Sequence, residues 1–115
     1  MKVSELRVGN LIQWESTGDI ESVIDIKTLR LKNPIINNIH IKDCKPIPLT
    51  EEWLLKFGFV SNPYQDRYEN EFIHVECNKT RGITELWIER MPHIKYVHQL
   101  QNLYFALTGQ ELELL

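Results

Sequence analysis

The stretch Phe72-Ile73-His74-Val75-Glu76-Cys77-Asn78-Lys79-Thr80-Arg81-Gly82-Ile83-Thr84-Glu85-Leu86-Trp87-Ile88 decides the fold class. Apolar and polar side chains alternate on either side of a polar segment that ends in glycine, the pattern of an antiparallel hairpin. The alternation predicts a strand from Phe72 to Cys77, a turn over Asn78–Gly82 and a return strand from Ile83 to Ile88. Successive strand side chains point to opposite faces, so Ile73, Val75 and Cys77 share a face of the first strand. In the second, Leu86 and Ile88 share one face while Ile83 and Trp87 lie on the other.

Helical signals flank this hairpin. Upstream, Pro46-Ile47-Pro48-Leu49 reads as an extended connector, because each proline biases the residue before it away from helix. Thr50 is a good N-cap for a helix over Glu51–Phe57, with acids in its first turn, a Leu49/Leu54 staple and Gly58 as the stop. Between Phe59 and the hairpin, Ser61 to Tyr68 reads as a loop or a loop with an edge strand. Downstream, Val97, Leu100, Leu103, Tyr104 and Leu107 form one apolar stripe of a helix from about His93 to Leu107. Pro92 suits its first turn and Thr108-Gly109 ends it. Trp53, Leu54, Phe57, Val75, Leu86, Ile88, Val97, Leu100, Leu103, Tyr104 and Leu107 are the expected core of this part.

The first 49 residues read as short strands: Leu11–Trp14, Ser22–Ile26, Thr28–Leu31 and Ile39–Ile41, punctuated by Gly9-Asn10, Ser16-Thr17-Gly18-Asp19, Asn33-Pro34 and Asn37-Asn38. The expected fold is therefore α+β. Residues 1–49 make a small bent antiparallel sheet or partial barrel. Residues 50–115 make a helix, an antiparallel hairpin or three-stranded sheet, and a C-terminal helix packed on it, the whole forming one unit.

A chain of 115 residues with 43% hydrophobic and 25% charged residues has the composition of a globular domain rather than a disordered or collagen-like one. Its net charge of −3 lacks the basic excess of a dedicated nucleic-acid binder. Residues 1–49 carry seven basic and six acidic residues, and residues 50–115 carry six and ten. Two isolated cysteines, Cys44 and Cys77, without CxxC or zinc spacing, point to a reducing compartment. Met1–Glu5 offers no apolar leader, and no apolar run approaches the roughly 20 residues that span a bilayer. The expectation is a cytoplasmic protein with no membrane partner.

Two further stretches carry a family signature. Lys45-Pro46-Ile47-Pro48-Leu49-Thr50-Glu51-Glu52-Trp53-Leu54-Leu55-Lys56-Phe57-Gly58-Phe59 and Tyr96-Val97-His98-Gln99-Leu100-Gln101-Asn102-Leu103-Tyr104-Phe105-Ala106-Leu107-Thr108-Gly109-Gln110-Glu111-Leu112 stand with the opening Glu5-Leu6-Arg7-Val8-Gly9-Asn10. Together they resemble a family of small uncharacterised phage and prophage proteins of the Bacteroidetes. The resemblance implies a phage or prophage setting in a bacterial cytoplasm. It implies no activity and supplies no catalytic residue.

No nucleophile elbow, P-loop, dinucleotide fingerprint or metal-ligand spacing occurs, so the expectation is a non-enzymatic protein without cofactor or metal. His93 and His98 stand five apart, on different helix faces. Tyr64, Arg67, Tyr68, Arg81 and Trp87 are the candidate ligand-binding residues, since Tyr, Trp and Arg dominate binding hot spots and also stack on bases and hold phosphates. Lys27, Arg30, Lys32, Lys42 and Lys45 form a local basic window that would serve a weak nucleic-acid interface. His98, Gln99, Gln101 and Asn102 read as a polar, solvated or core-bordering face of the last helix. The leading expectation is a phage accessory protein that binds a host or phage protein. Its alternatives are a binder that sequesters a nucleotide signal in anti-defence, and nucleic-acid binding through residues 27–45. An exposed Leu112, Leu114 and Leu115 tail would favour a homodimer.

Overall fold

The computed structural model describes residues 1–25, 30–31 and 41–115. It is an α+β chain with two antiparallel sheets and a C-terminal helix. The first sheet contains β1 (Leu11–Trp14), β2 (Ile20–Asp25), β3 (Arg30–Leu31) and β4 (Cys44–Lys45), in the order β3-β2-β1-β4. Its register shifts between Val23 and Asp25, the kind of irregularity that bends a strand. Leu6, Ile12, Val23 and Cys44 form its buried core, with Met1, Val3, Trp14 and Ile41 packed around them. Of the strand expected at Ile39–Ile41, Ile39 and His40 lie outside the described residues. Ile41 instead opens a short 3-10 turn over Ile41–Asp43, and the pairing with β1 comes two residues later, at Cys44 and Lys45.

The short helix α1 (Glu51–Lys56) forms where its caps predict. The Thr50 hydroxyl accepts the Trp53 N–H at 3.4 Å. Gly58 adopts φ +84°, and the Phe59 N–H reaches back to the Leu54 carbonyl at 2.9 Å, closing the last turn. The second sheet follows, with β5 (Val60–Asn62), β6 (Arg67–Glu69), β7 (His74–Thr80) and β8 (Ile83–Trp87) in sequential antiparallel order. The hairpin is tighter than expected. β7 runs on to Thr80, so the turn is only Arg81-Gly82, with φ +53° and +78°. Two consecutive positive φ angles give a two-residue loop whose twist matches the flanking strands.

The helix α2 (Val97–Thr108) starts four residues later than the pattern suggests. Pro92 and His93 instead sit in a turn closed by the Ile94 N–H on the Met91 carbonyl at 3.2 Å, and Lys95 and Tyr96 pair with the connector before α1. Tyr96 bridges Pro48, the Lys95 carbonyl accepts from Leu49 N–H at 3.0 Å, and Val97 N–H donates to the Ile47 carbonyl at 2.8 Å. Gln99 then caps the helix by accepting the N–H groups of Lys95 and Tyr96 at 2.8 and 3.0 Å. Gly109, at φ +72°, ends it.

Most of the expected core holds, with Leu54, Phe57, Val75, Ile88, Val97 and Leu100 buried and Trp53, Leu86, Leu103 and Tyr104 packed against them. Leu107 is the exception and is exposed. Ile47, Phe59, Ile73, Ile94 and Leu112 join the cluster. Burial of Leu112, with the Leu115 N–H donating to the Lys56 carbonyl at 2.7 Å, ties the tail to α1. Of the three tail leucines Leu112 is buried, whereas Leu114 and Leu115 remain exposed.

A polar seam joins the two parts. Gln101 Oε1 accepts the Leu11 N–H at 2.9 Å, and its amide nitrogen donates to the Gly9 carbonyl at 3.3 Å. Asn102 Oδ1 accepts from Asn10 Nδ2 at 2.8 Å and from Arg7 at 3.0 Å, while its own amide donates to the Glu5 carbonyl at 2.8 Å. The Arg7 guanidinium also pairs with Glu111 and lies 3.8 Å from the centre of the Phe105 ring. Gln101 and Asn102 therefore border the core and are consumed within the chain, rather than facing a ligand.

Candidate functional site

The face of the second sheet opposite the core presents a layer of side chains fixed by register. Arg67 stands opposite Glu76, and Glu76 opposite Trp87, so these three line up across β6, β7 and β8. Beside them Asn78 faces Glu85, and Thr80 faces Ile83. Arg67 is already engaged, with its Nε 2.9 Å from a Glu69 oxygen and a terminal nitrogen 3.9 Å from Glu76. Glu69 also takes the Asn62 amide at 3.3 Å and has His74 Nε2 at 3.7 Å. Toward β8 the layer turns apolar and open: Ile83 is 65% exposed and Trp87 41% exposed. Between them on the same face lies exposed Glu85, which has no cation within 4 Å among the described residues. At the opposite end a cleft of about 370 Å³ is lined by Arg67, Glu71, Phe72, His74, Glu76 and Glu89.

β8 is also an edge. Strand order ends with it, so its outer backbone groups meet no further strand among the described residues. In a two-residue hairpin the residues flanking the turn exchange both backbone bonds, and bonded and non-bonded pairs then alternate. Ile83, Glu85 and Trp87 therefore bond β7, whereas the N–H and C=O groups of Thr84 and Leu86 point to the free edge. The next residue of that parity, Ile88, follows the rule, since its outward carbonyl accepts the Met91 N–H at 2.9 Å. The turn through Met91 thus covers one end of the edge and leaves Thr84 and Leu86 open.

The five candidate ligand residues do not converge. Arg67 and Trp87 share the outer face, separated by β7. Tyr68, adjacent to Arg67 on β6, points inward and is 8% exposed. Tyr64 stands on the loop between β5 and β6, 97% exposed, and Arg81 projects from the hairpin turn. Alternation along β6 turns the Arg67 and Tyr68 side chains to opposite faces, and of the five candidates only these two line a common cleft. The Tyr68 hydroxyl instead donates to Glu51, which also pairs with Lys79 at 3.0 Å. The hydrogen bond from Tyr68, followed by that from Lys79, holds the Glu51 carboxyl below its ordinary range. Glu51 in turn, with burial, pushes the Tyr68 phenol up to about 12. A cleft of about 210 Å³ borders this group and is lined by Arg67 and Lys79 together with Glu51, Asp66 and Tyr68; Glu51 engages Tyr68 and Lys79, and Glu69 engages Arg67.

Of the basic window, Lys27 and Lys32 lie outside the described residues, and Arg30 is described in its backbone as part of β3. Lys42 and Lys45 are exposed. Among the described residues no group of three His, Cys, Asp or Glu side chains is arranged to hold a metal ion. Cys44 is buried and Cys77 half-buried, both as free thiols, and burial, followed by the Asp43 charge, pushes the Cys44 thiol up to about 11. No helix of the described residues is long and apolar enough to cross a membrane.

The sequence argument grouped Ile83 with Trp87 on one face but missed Ile83 and Glu85 as site residues. The usable signal was the alternation Ile83-Glu85-Trp87, which sets one charge between two large apolar groups on the side away from the core. Comparison with protein-family models, with curated proteins and with solved structures finds no match to this chain.

Proposed function

We propose that this chain is a non-enzymatic binding module that acts by docking a host or phage protein on the outer face of its second sheet. The observation that carries this reading is the exposure of Ile83 and Trp87 on either side of Glu85, whose carboxylate has no cation within 4 Å among the described residues. Large exposed apolar side chains beside a rim of charge are the surface chemistry of a protein contact. The excess of acids over bases in residues 50–115 favours a basic partner. The phage setting, and with it a bacterial cytoplasm, rests on the family resemblance of the opening segment and the two helical segments.

Site-specific photocross-linking in infected or prophage-bearing host cells tests the reading. A photoreactive side chain at Ile83 is expected to capture one discrete basic protein, and the same group at Ser4 is expected to capture none. Equal labelling from both positions, or none from Ile83, removes the reading.

A further inference from the structure

We infer that the partner of this face is bound by strand addition. An extended basic segment pairs with the free edge of β8 and places a lysine or arginine opposite Glu85, between two apolar residues that meet Ile83 and Trp87. The inference rests on the protein-binding reading above and specifies the chemistry of the partner.

The backbone supplies the first argument. Thr84 and Leu86 each present an unpaired N–H and C=O on an edge that neither a helix nor another strand covers among the described residues. Such an edge templates a further strand, and an added extended peptide gains main-chain bonds without rearranging the sheet. The Ile88 carbonyl, of the same parity, accepts the Met91 N–H, so an outward group of this side of the chain is placed to pair with extended backbone.

The side chains decide which strand fits. Pairing of β8 with β8 of a second copy is the obvious competitor. A two-fold antiparallel pairing that uses all five residues sets Thr84 against Leu86, Ile83 against Trp87, and Glu85 against Glu85. Like charges directly opposite each other destabilise a strand pair. Glu85 therefore disfavours self-pairing while leaving the edge open to a strand with a cation at that position. Because side chains repeat every second residue, the complementary segment reads apolar-x-basic-x-apolar. The two intervening residues lie over Thr84 and Leu86.

The test uses the intact chain against a yeast-displayed library of random heptapeptides. The expected enriched peptides carry a lysine or arginine two positions from an apolar residue on each side. Glu85→Lys is expected to weaken them about tenfold, since the attraction is replaced by repulsion, and to enrich peptides with an acidic centre instead. Thr84→Pro removes an edge N–H while keeping Ile83, Glu85 and Trp87, and is expected to abolish binding. Amide hydrogen exchange in the unmodified chain gives the same information without a substitution: Thr84 and Leu86 should become protected when an enriched peptide binds.

Peptides that need Trp87 but tolerate Thr84→Pro, and leave those two amides unprotected, overturn strand addition while keeping the protein-binding face. A concentration-dependent dimer protected at the same two amides overturns it in favour of a second copy. An enriched set indifferent to Glu85→Lys, or no enriched set, overturns it as well. The fate of the protein-binding reading is then decided by the cross-linking at Ile83.

Discussion

Asn10 and Asn102, 92 positions apart, meet through a 2.8 Å hydrogen bond from the side-chain amide of Asn10 to the side-chain oxygen of Asn102. Asn10 is fully buried. Its own oxygen accepts the Arg7 N–H at 2.6 Å, so one asparagine shapes the turn before β1 and also anchors that turn to α2. Removing Asn102 leaves a buried donor on Asn10 and the Glu5 carbonyl without their partners. Asn102→Leu, similar in volume but without polar atoms, is therefore expected to cost about 2–3 kcal/mol. Thermal unfolding reports the loss, and hydrogen exchange should rise first in residues 5–12. A change confined to within about 0.5 kcal/mol would sink the idea that this seam joins the two parts.

That seam marks where sequence reading reaches its limit. Gln101 and Asn102 read equally as a solvated or a core-bordering helix face until their partners, some ninety residues upstream, are known. The late start of α2 has the same origin, because Pro92 is locally suited to a helix while Ile47, Pro48 and Leu49 hold Lys95 and Tyr96 against the connector from across the fold. Local signals were sufficient for α1, where Thr50 and Gly58 mark both ends, and for the β7–β8 hairpin, where alternation marks the strands. The split between Arg67 and Tyr68 was available in principle, since neighbours in a strand face opposite ways. It was missed because the turn chemistry of Ser61–Tyr68 leaves the stretch open between a loop and a loop with an edge strand, so no alternation could be assigned to Arg67 and Tyr68.

His98 carries a prediction about acid. Its ring is 1% exposed, and neither nitrogen has a hydrogen-bond partner. Glu5 lies 3.6 Å from Nε2, the Tyr96 ring stacks alongside at 6.1 Å between centroids, and the N-terminal amino group adds its positive field. Burial lowers the His98 pKa below its ordinary 6.5, and Glu5 opposes only part of that shift. The unfolded chain therefore binds the proton more readily, so the stability contributed by neutral His98 is complete above about 6.5 and is lost as pH falls through the depressed value. Denaturant midpoints from pH about 7 down to about 5 should fall, and His98→Leu should flatten that decline. An unchanged slope in the variant would assign the acid sensitivity to other groups.

The Tyr68–Glu51 pair can be read directly. With its phenol raised to about 12 by the hydrogen bond to Glu51 and by burial, Tyr68 should ionise well above the ordinary tyrosine value of about 10. A raised value means that this contribution is fully present below the unfolded tyrosine pKa of about 10 and is lost as pH rises through the folded one. Glu51→Gln keeps a hydrogen-bond acceptor but removes the charge, and should move the Tyr68 midpoint back toward about 10. Carbon NMR of the labelled phenol ring measures the Tyr68 midpoint in the unmodified chain and in the variant. A Tyr68 midpoint that is ordinary, or unmoved by the substitution, contradicts the pairing.

The Arg81-Gly82 turn sets everything that the edge of β8 can do. Both residues hold positive φ, and the space around Gly82 is open, so a side chain there meets backbone strain alone. Gly82→Ala should cost about 1 kcal/mol. Arg81→Asn should gain about 0.5–1 kcal/mol, because asparagine tolerates the left-handed region that arginine disfavours. The turn also fixes the register that pairs Asn78 with Glu85 and Glu76 with Trp87. A slip of one residue would carry Ile83, Glu85 and Trp87 to the core face and turn Leu86 outward. Arg81→Asn should therefore strengthen peptide binding at β8 if it tightens this register, and it leaves every contacting side chain in place. Denaturant unfolding and peptide affinity measured on the same variant separate the effects: a more stable hairpin with weaker binding would mean that the productive edge is not the one this register presents.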